Sequence, residues 1–165
     1  MQIFKLSSNG WKIYKELKLE VLREDLEAFG SLYENYVGMS EESWRKKLDN
    51  PSSYVLVGQK GEDTVGMVDA CKFAGEKVNH IAKVLGVYVR KAYRGQGKGR
   101  ELMEALMNQL VSDQQIEKVR LSVNAAHPAA VKLYKDLGFE IVGTLHREMK
   151  IGGEYYDKYI MEKFL

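Results

Sequence analysis

Three glycines spaced by two, Gly95, Gly97 and Gly99, stand among basic side chains in the run Arg94-Gly95-Gln96-Gly97-Lys98-Gly99-Arg100. Glycine reaches backbone conformations closed to other residues and leaves no side chain in the way, so such a turn can aim several N–H groups at one anion. A helix opening directly behind it adds the positive end of its dipole. Arg94, Lys98 and Arg100 are placed to reinforce the same charge. The chemistry is that of holding a phosphate, and the spacing narrows which one. A G-x-G-x-x-G dinucleotide fingerprint needs glycine where Arg100 or Leu102 stands, and a P-loop needs glycine at Ala92 and Ser or Thr at Gly99. A glycine-rich loop can also serve only a tight turn, so the flanking elements decide.

Those elements are legible. Met1 to Leu6 alternates as a short strand, and Tyr14, Leu17 and Val21 recur at helical spacing between Trp11 and about Glu27. Ser40, followed by Glu41 and Glu42, opens a short helix with the pair Trp44 and Leu48 before Asn50-Pro51 ends it. Strands are expected at Tyr54 to Gln59, Thr64 to Phe73 and Asn79 to Arg90, an antiparallel meander. In the third, Ile81, Leu85, Val87 and Val89 share one parity, and Gly86 interrupts the run as at a bulge. From Gly99 the stripe Leu102, Met103, Leu106, Met107 and Leu110 reads as a helix. Lys118 to Val123 is a strand, and Pro128 begins a helix with Ala130, Leu133, Tyr134 and Leu137 on its apolar face and Gly138 as its stop. Two strands, Glu140 to Lys150 and Tyr155 to Phe164, join through Gly152-Gly153.

With strand, turn and helix in this order, Arg94-Gly95-Gln96-Gly97-Lys98-Gly99 resembles the acyl-CoA signature [RQ]-x-x-G-x-[GA] of the GNAT superfamily of N-acetyltransferases. Leu121-Ser122-Val123, His127 to Ala130 and Leu133-Tyr134-Lys135-Asp136-Leu137-Gly138-Phe139 are similar to that family's next strand and its L-Y-x-x-x-G-F helix. The resemblance implies one α+β domain over residues 1 to 165, with three layers: a mixed, mostly antiparallel, splayed sheet of about seven strands and about four flanking helices. It implies acetyl-CoA as cosubstrate and no metal. The pyrophosphate would lie on Arg94 to Arg100, and the pantetheine on the backbone of Val87, Tyr88 and Val89, which could also hold the oxyanion. Tyr134 matches the tyrosine that protonates, or hydrogen-bonds to, the leaving sulfur. Many relatives bind pantetheine through an asparagine where His127 stands here, with Asn124 a substitute three residues earlier. A glutamate base that some relatives carry is replaced by Ser122, and His80 is a lone histidine at a strand start. No base is assigned, so the amine is expected to lose its proton through water.

Composition sets the remaining bounds. With 165 residues and 45% apolar content the chain can bury a continuous core, and no run of about 18 apolar residues follows one another. The lone Cys71 cannot form an internal disulfide and suits a cytoplasmic setting. A net charge of +2 points to no nucleic-acid or membrane partner. Its distribution says more: Glu20, Glu24, Asp25, Glu27, Glu34, Glu41 and Glu42 face one base, Arg23, over residues 20 to 42, whereas Arg90, Lys91, Arg94, Lys98 and Arg100 have no acid among them. In the family the first helices and the last strand pair wall the acceptor site. The acids there favour a cationic amine: a small molecule such as a polyamine, or a peptide or protein amine. The hairpin Gly153-Glu154-Tyr155-Tyr156-Asp157 is similar to segments of polyamine and ribosomal-protein acetyltransferases. A monomer or homodimer is expected, and a noncatalytic acyl-CoA-binding module is the competing reading.

Overall fold

The computed structural model describes residues 1–25 and 31–165. Seven strands form one sheet: β1 (Gln2–Lys5), β2 (Ser53–Lys60), β3 (Asp63–Lys72), β4 (Ile81–Val89), β5 (Lys118–Asn124), β6 (Glu140–Ile151) and β7 (Glu154–Phe164). Their order is β1-β2-β3-β4-β5-β7-β6, antiparallel everywhere except between β4 and β5. The described helices are α1 (Trp11–Glu24), α2 (Glu34–Val37), α3 (Glu41–Asp49), α4 (Lys98–Ser112) and α5 (Pro128–Asp136). That is one more than expected. A single turn such as α2 is too short to show a period, and the expected end of the first helix at Glu27 lies outside the described residues.

The sheet is covered on both faces. Leu102, Met103, Leu106 and Leu110 of α4 and Tyr134 of α5 pack with Val68, Ala82, Val84, Leu121 and Val123 on one side. Tyr14, Leu17 and Val21 of α1 and Trp44 and Leu48 of α3 pack with Val55, Val57, Met67 and Tyr88 on the other. Local signals place these elements: the Ser40 hydroxyl accepts from the Ser43 N–H at 3.2 Å to cap α3, and Gly138, at φ 86°, ends α5. Gly152 and Gly153, at φ 60° and 92°, turn β6 into β7.

Two features of β4 create the site. Asp69 of β3 is opposite Gly86, but Ala70 is opposite Val84, so Leu85 is an extra residue in β4. The bulge reverses the side-chain alternation. Ala82 and Val84 face α4 before it, and Val87 and Val89 face α4 after it, so Leu85 does not join the parity expected for it and is 39% exposed. The second feature is a splay. β4 pairs with β5 only from Ile81 to Lys83, opposite Lys118 to Arg120, and beyond that point the two strands part. An added Cβ at Gly66 of β3 would fall 2.2 Å from the Tyr88 carbonyl oxygen, so only glycine lets β3 brace the diverging end of β4 this closely.

Candidate active site

The splay opens a cleft of about 760 Å³ lined by Val84 to Val89, the Arg94–Arg100 turn, Leu121 to Asn124, and Leu133 and Tyr134 of α5. Residues named from the sequence at 87 to 89, 94, 95, 97 to 100, 124, 127 and 134 all border it. Gln96 does not, and its side chain instead donates to the Ala92 carbonyl at 3.0 Å, closing the turn on itself. Tyr88 contributes only backbone: its ring is buried on the α1 side and its hydroxyl donates to Glu20 at 2.8 Å.

The turn has the geometry of an anion cradle. Gly95 and Gly97 sit at φ 73° and 76°, the left-handed region, and Gly97 is the N-cap of α4 with no side chain capping it. The first N–H groups of α4 have no preceding helical carbonyl to bind, and they lie at the positive end of a helix of 15 residues. A Cβ at Gly95 or Gly97 would meet nothing within 4 Å, so conformation and not crowding requires glycine there. Gly99 is different: a Cβ would touch only Leu133 at 3.5 Å and Val89 at 3.9 Å in ordinary contact. The cradle therefore fits a phosphate group.

The basic side chains are largely engaged by the protein itself. Arg94 binds Asp25 at 2.5 Å and donates its Nε to the Val89 carbonyl at 2.8 Å, Lys98 binds Glu101 at 2.6 Å, and Arg100 lies 3.3 Å from Asp136. The unpaired donors of the turn are therefore its backbone N–H groups, with the cations engaged around them. The acids of α1 are likewise paired: Arg90 holds Glu16 at 2.5 Å and Glu20 at 2.8 Å, and Lys91 lies 3.6 Å from Glu24. Burial pushes the Glu20 carboxyl up, but hydrogen bonds from Arg90 and Tyr88 outweigh it and hold the group below its ordinary value. Glu20, Glu24 and Asp25 of the acidic segment are thus paired with Arg90, Lys91 and Arg94 of the basic one, while Glu41 pairs with Arg45. The sequence separation of about 70 residues between the two segments hid their pairing. Glu27 lies outside the described residues.

Tyr134 projects from α5 into the cleft at 9% exposure, with its ring edge-on to Phe139 at 6.1 Å. Among the described residues its hydroxyl has no hydrogen-bond partner, and burial pushes its pKa up to about 12. It stays protonated at neutral pH, a donor aimed at the cleft. Asn124 is committed locally: its Oδ1 accepts from the Ala126 N–H at 2.9 Å, shaping the turn between β5 and α5. His127 lies at the N-cap of α5 without a side-chain cap bond. His80 is remote from the cleft, where β4 and β5 join, and its carbonyl accepts from Glu117 and Lys118.

Sequence reading passed over a device at the edge of the site. Between Leu145 and Met149 three residues of β6 oppose one of β7, and Asp157 secures that bulge by accepting from the Arg147 N–H at 2.8 Å and pairing with His146 at 2.9 Å. Arg147 consequently adopts φ 54°. The Asp157 carbonyl accepts from the Ala125 N–H at 2.9 Å, tying the hairpin to the end of β5.

A sequence profile of the acetyltransferase (GNAT) family matches residues 18–139. The chain belongs to that family. It is an acetyl-CoA-dependent N-acetyltransferase. Among characterised relatives, L-amino acid N-acetyltransferase AaaT of Escherichia coli K12 is 28% identical over 125 residues, 75% of this chain and 76% of that one. Spermidine N(1)-acetyltransferase of Vibrio cholerae is 25% identical over 130 residues, 78% and 73% of the two chains. The solved structure of yncA, a putative acetyltransferase from Salmonella typhimurium with its cofactor acetyl-CoA, shares the fold with a TM-score of 0.85 at 16% identity, covering 100% of this chain and 94% of that one. Among the described residues no helix is long and apolar enough to cross a membrane.

Proposed function

We propose that residues 1 to 165 act as one domain that transfers the acetyl group of acetyl-CoA to a primary amine by direct attack. The observation that carries this reading is the convergence, in one cleft, of the Gly95 to Gly99 cradle and the buried Tyr134 hydroxyl. Acetyl-CoA supplies the activated acetyl group. The turn holds the pyrophosphate, and the edge of β4 that β5 leaves unpaired, Val87 to Val89, binds the pantetheine. Tyr134 is the general acid at the sulfur. With its pKa near 12, against about 8.5 for a free thiol, complete transfer to a solvated thiolate is uphill. Burial of the sulfur raises the thiol's pKa as well and narrows that gap, so the hydroxyl first stabilises the thiolate by donation and then supplies its proton. His127 and Asn124 shape the wall beside the pantetheine. Among the described residues the cleft lining holds two carboxylates, Asp25 paired with Arg94 and Asp136 paired with Arg100 and Lys132, beside the flanking His127, and deprotonation through water remains the reading. The family assignment and Tyr134 together weigh against a noncatalytic acyl-CoA-binding module.

The acceptors named for the two relatives differ in charge, an amino acid in one and spermidine in the other. Acceptor-dependent release of free thiol from acetyl-CoA across a panel of amines, read with a thiol dye, is the direct test, and no release with any amine would sink the proposal. A cytoplasmic setting fits a protein using acetyl-CoA and carrying one free cysteine, Cys71.

The cradle makes its own prediction. Gly97→Asp forces a side chain into the left-handed region and adds like charge beside the pyrophosphate, so affinity for CoA should fall at least about tenfold, or about 1.4 kcal/mol. Gly99→Ala should leave the fold intact, since its Cβ meets only ordinary contacts. Calorimetry showing unchanged CoA affinity in a folded Gly97→Asp protein would remove this turn from the site.

A further inference from the structure

We propose that Asp25, at the C-terminal end of α1, is a positioning residue of the cofactor site, and that through Arg94 it locks the pyrophosphate turn to the end of β4. The inference rests on the transferase reading and gives that site a residue from the helix layer on the other face of the sheet.

The direction of one carbonyl carries the argument. The Arg90 N–H donates to the Val65 carbonyl of β3 at 2.9 Å. In a planar trans peptide the N–H and the carbonyl point opposite ways, so the Val89 carbonyl, on the same peptide, points away from β3. That is the edge of β4 from which β5 has parted, and Val89 lines the cleft there. Left bare, this oxygen would present a partial negative charge to a site that receives the oxygens of a pyrophosphate. Arg94 covers it. Its Nε donates to the Val89 carbonyl at 2.8 Å, and Gln96 makes the companion bond to the Ala92 carbonyl at 3.0 Å, so two side chains fix the turn to the backbone leading into it.

What holds Arg94 comes from outside the turn. Its Nη2 meets the Asp25 carboxylate at 2.5 Å, and its guanidinium stands over the Tyr88 ring, 5.8 Å from the centroid. A guanidinium serves the carbonyl and the carboxylate together through one rigid fork, a spacing that the compact ammonium of lysine lacks. Asp25 lines the same cleft as Arg94, Gly95 and Gly97. It also occupies the C-cap of α1, the negative end of the helix dipole, where an acid is unfavourable. Helix stability therefore does not account for a carboxylate there, and Arg94 does. Nor does the seating of α1 depend on it, since Arg90 already holds Glu20 at 2.8 Å and Lys91 lies 3.6 Å from Glu24. A turn preorganised in this way spends less of its binding energy on ordering itself around the anion.

The test measures CoA affinity by calorimetry, and kcat and KM for acetyl-CoA and for S-acetylpantetheine, which lacks the pyrophosphate. It uses the intact wild-type protein, Asp25→Ala, Asp25→Asn, Arg94→Lys and the double variant Asp25→Ala with Arg94→Lys. Asp25→Ala should weaken CoA binding about fivefold, what a charge-assisted hydrogen bond retains in a partly exposed pair. The loss should appear in KM for acetyl-CoA far more than in kcat, leave KM for S-acetylpantetheine little moved, and be partly recovered by Asp25→Asn, which keeps an acceptor oxygen. Arg94→Lys keeps the charge and should lose at least as much, and adding Asp25→Ala to it should cost nothing more. The melting temperature should hold throughout. Removing a negative charge beside a polyanion would by itself tighten binding, so Ala and Asn variants that bind CoA as well as wild type or better would overturn the proposal. Wild-type affinity in Arg94→Lys, an equal loss on S-acetylpantetheine, or a loss that comes only with a fall in melting temperature would do the same, each leaving the transferase standing. A wild-type protein that binds no CoA would overturn both.

Discussion

Replacing Tyr134 with phenylalanine is expected to lower kcat by roughly 10² to 10⁴, the usual worth of a general acid, while the melting temperature holds or rises slightly. The structural half of that expectation comes from what the hydroxyl touches. Among the described residues it has no hydrogen-bond partner, so its removal breaks no internal bond, and the edge-on contact of the ring with Phe139 at 6.1 Å is kept. The catalytic half comes from where it points. A donor with a pKa near 12 is protonated at every working pH, so its value lies in stabilising charge that develops on sulfur as the intermediate collapses. An interaction of that kind is absent from the ground state, and its loss should appear in kcat far more than in KM. A kcat within twofold of wild type, where chemistry limits turnover, would remove Tyr134 from the reaction and leave the phosphate cradle untouched.

How far such a site can be read from sequence depends on whether its determinants are local. The cradle is local: three glycines, a strand before and a helix after lie within about 25 residues, and the left-handed angles at Gly95 and Gly97 are what glycine at those positions implies. The splay is as the family resemblance implied, and Gly86 does mark a bulge. Its consequence was not legible, because a bulge shifts alternation by one and the run of Leu85, Val87 and Val89 looks continuous in sequence. The charge pairing was hidden for a different reason. Arg90 meets Glu16 and Glu20 only because β4 ends beneath α1, and counting charges by segment assigned both groups to outside ligands. Asp157 gives no sign in the sequence of the β6 bulge it secures, since an acid near a hairpin is ordinary composition.

The second large effect is expected far from the cleft, at a charge pair that sequence reading did not mark. Lys18 of α1 and Asp69 of β3 are 3% and 1% exposed, with the ammonium 3.5 Å from Oδ2 and the Tyr14 hydroxyl donating to the same oxygen at 3.0 Å. The second carboxylate oxygen, Oδ1, is buried with no hydrogen bond. An arrangement this sparsely satisfied tolerates no further loss. Lys18→Met removes the countercharge and should cost about 3–5 kcal/mol of stability, the penalty for leaving a buried charge uncompensated. Adding Asp69→Asn removes the stranded charge while keeping an oxygen for Tyr14, so the double variant should recover most of the loss. Chemical denaturation of the two single variants and the double variant gives the coupling directly, and a Lys18→Met cost below about 1 kcal/mol would show that the pair does not hold α1 to the sheet. The site should register the same change. Asp69 is the register partner of Gly86, so α1 braces the bulge from which the edge of β4 diverges. Affinity for CoA should therefore fall with stability in Lys18→Met and return with it in the double variant, and a stability loss without any change in affinity would separate the brace from the cleft.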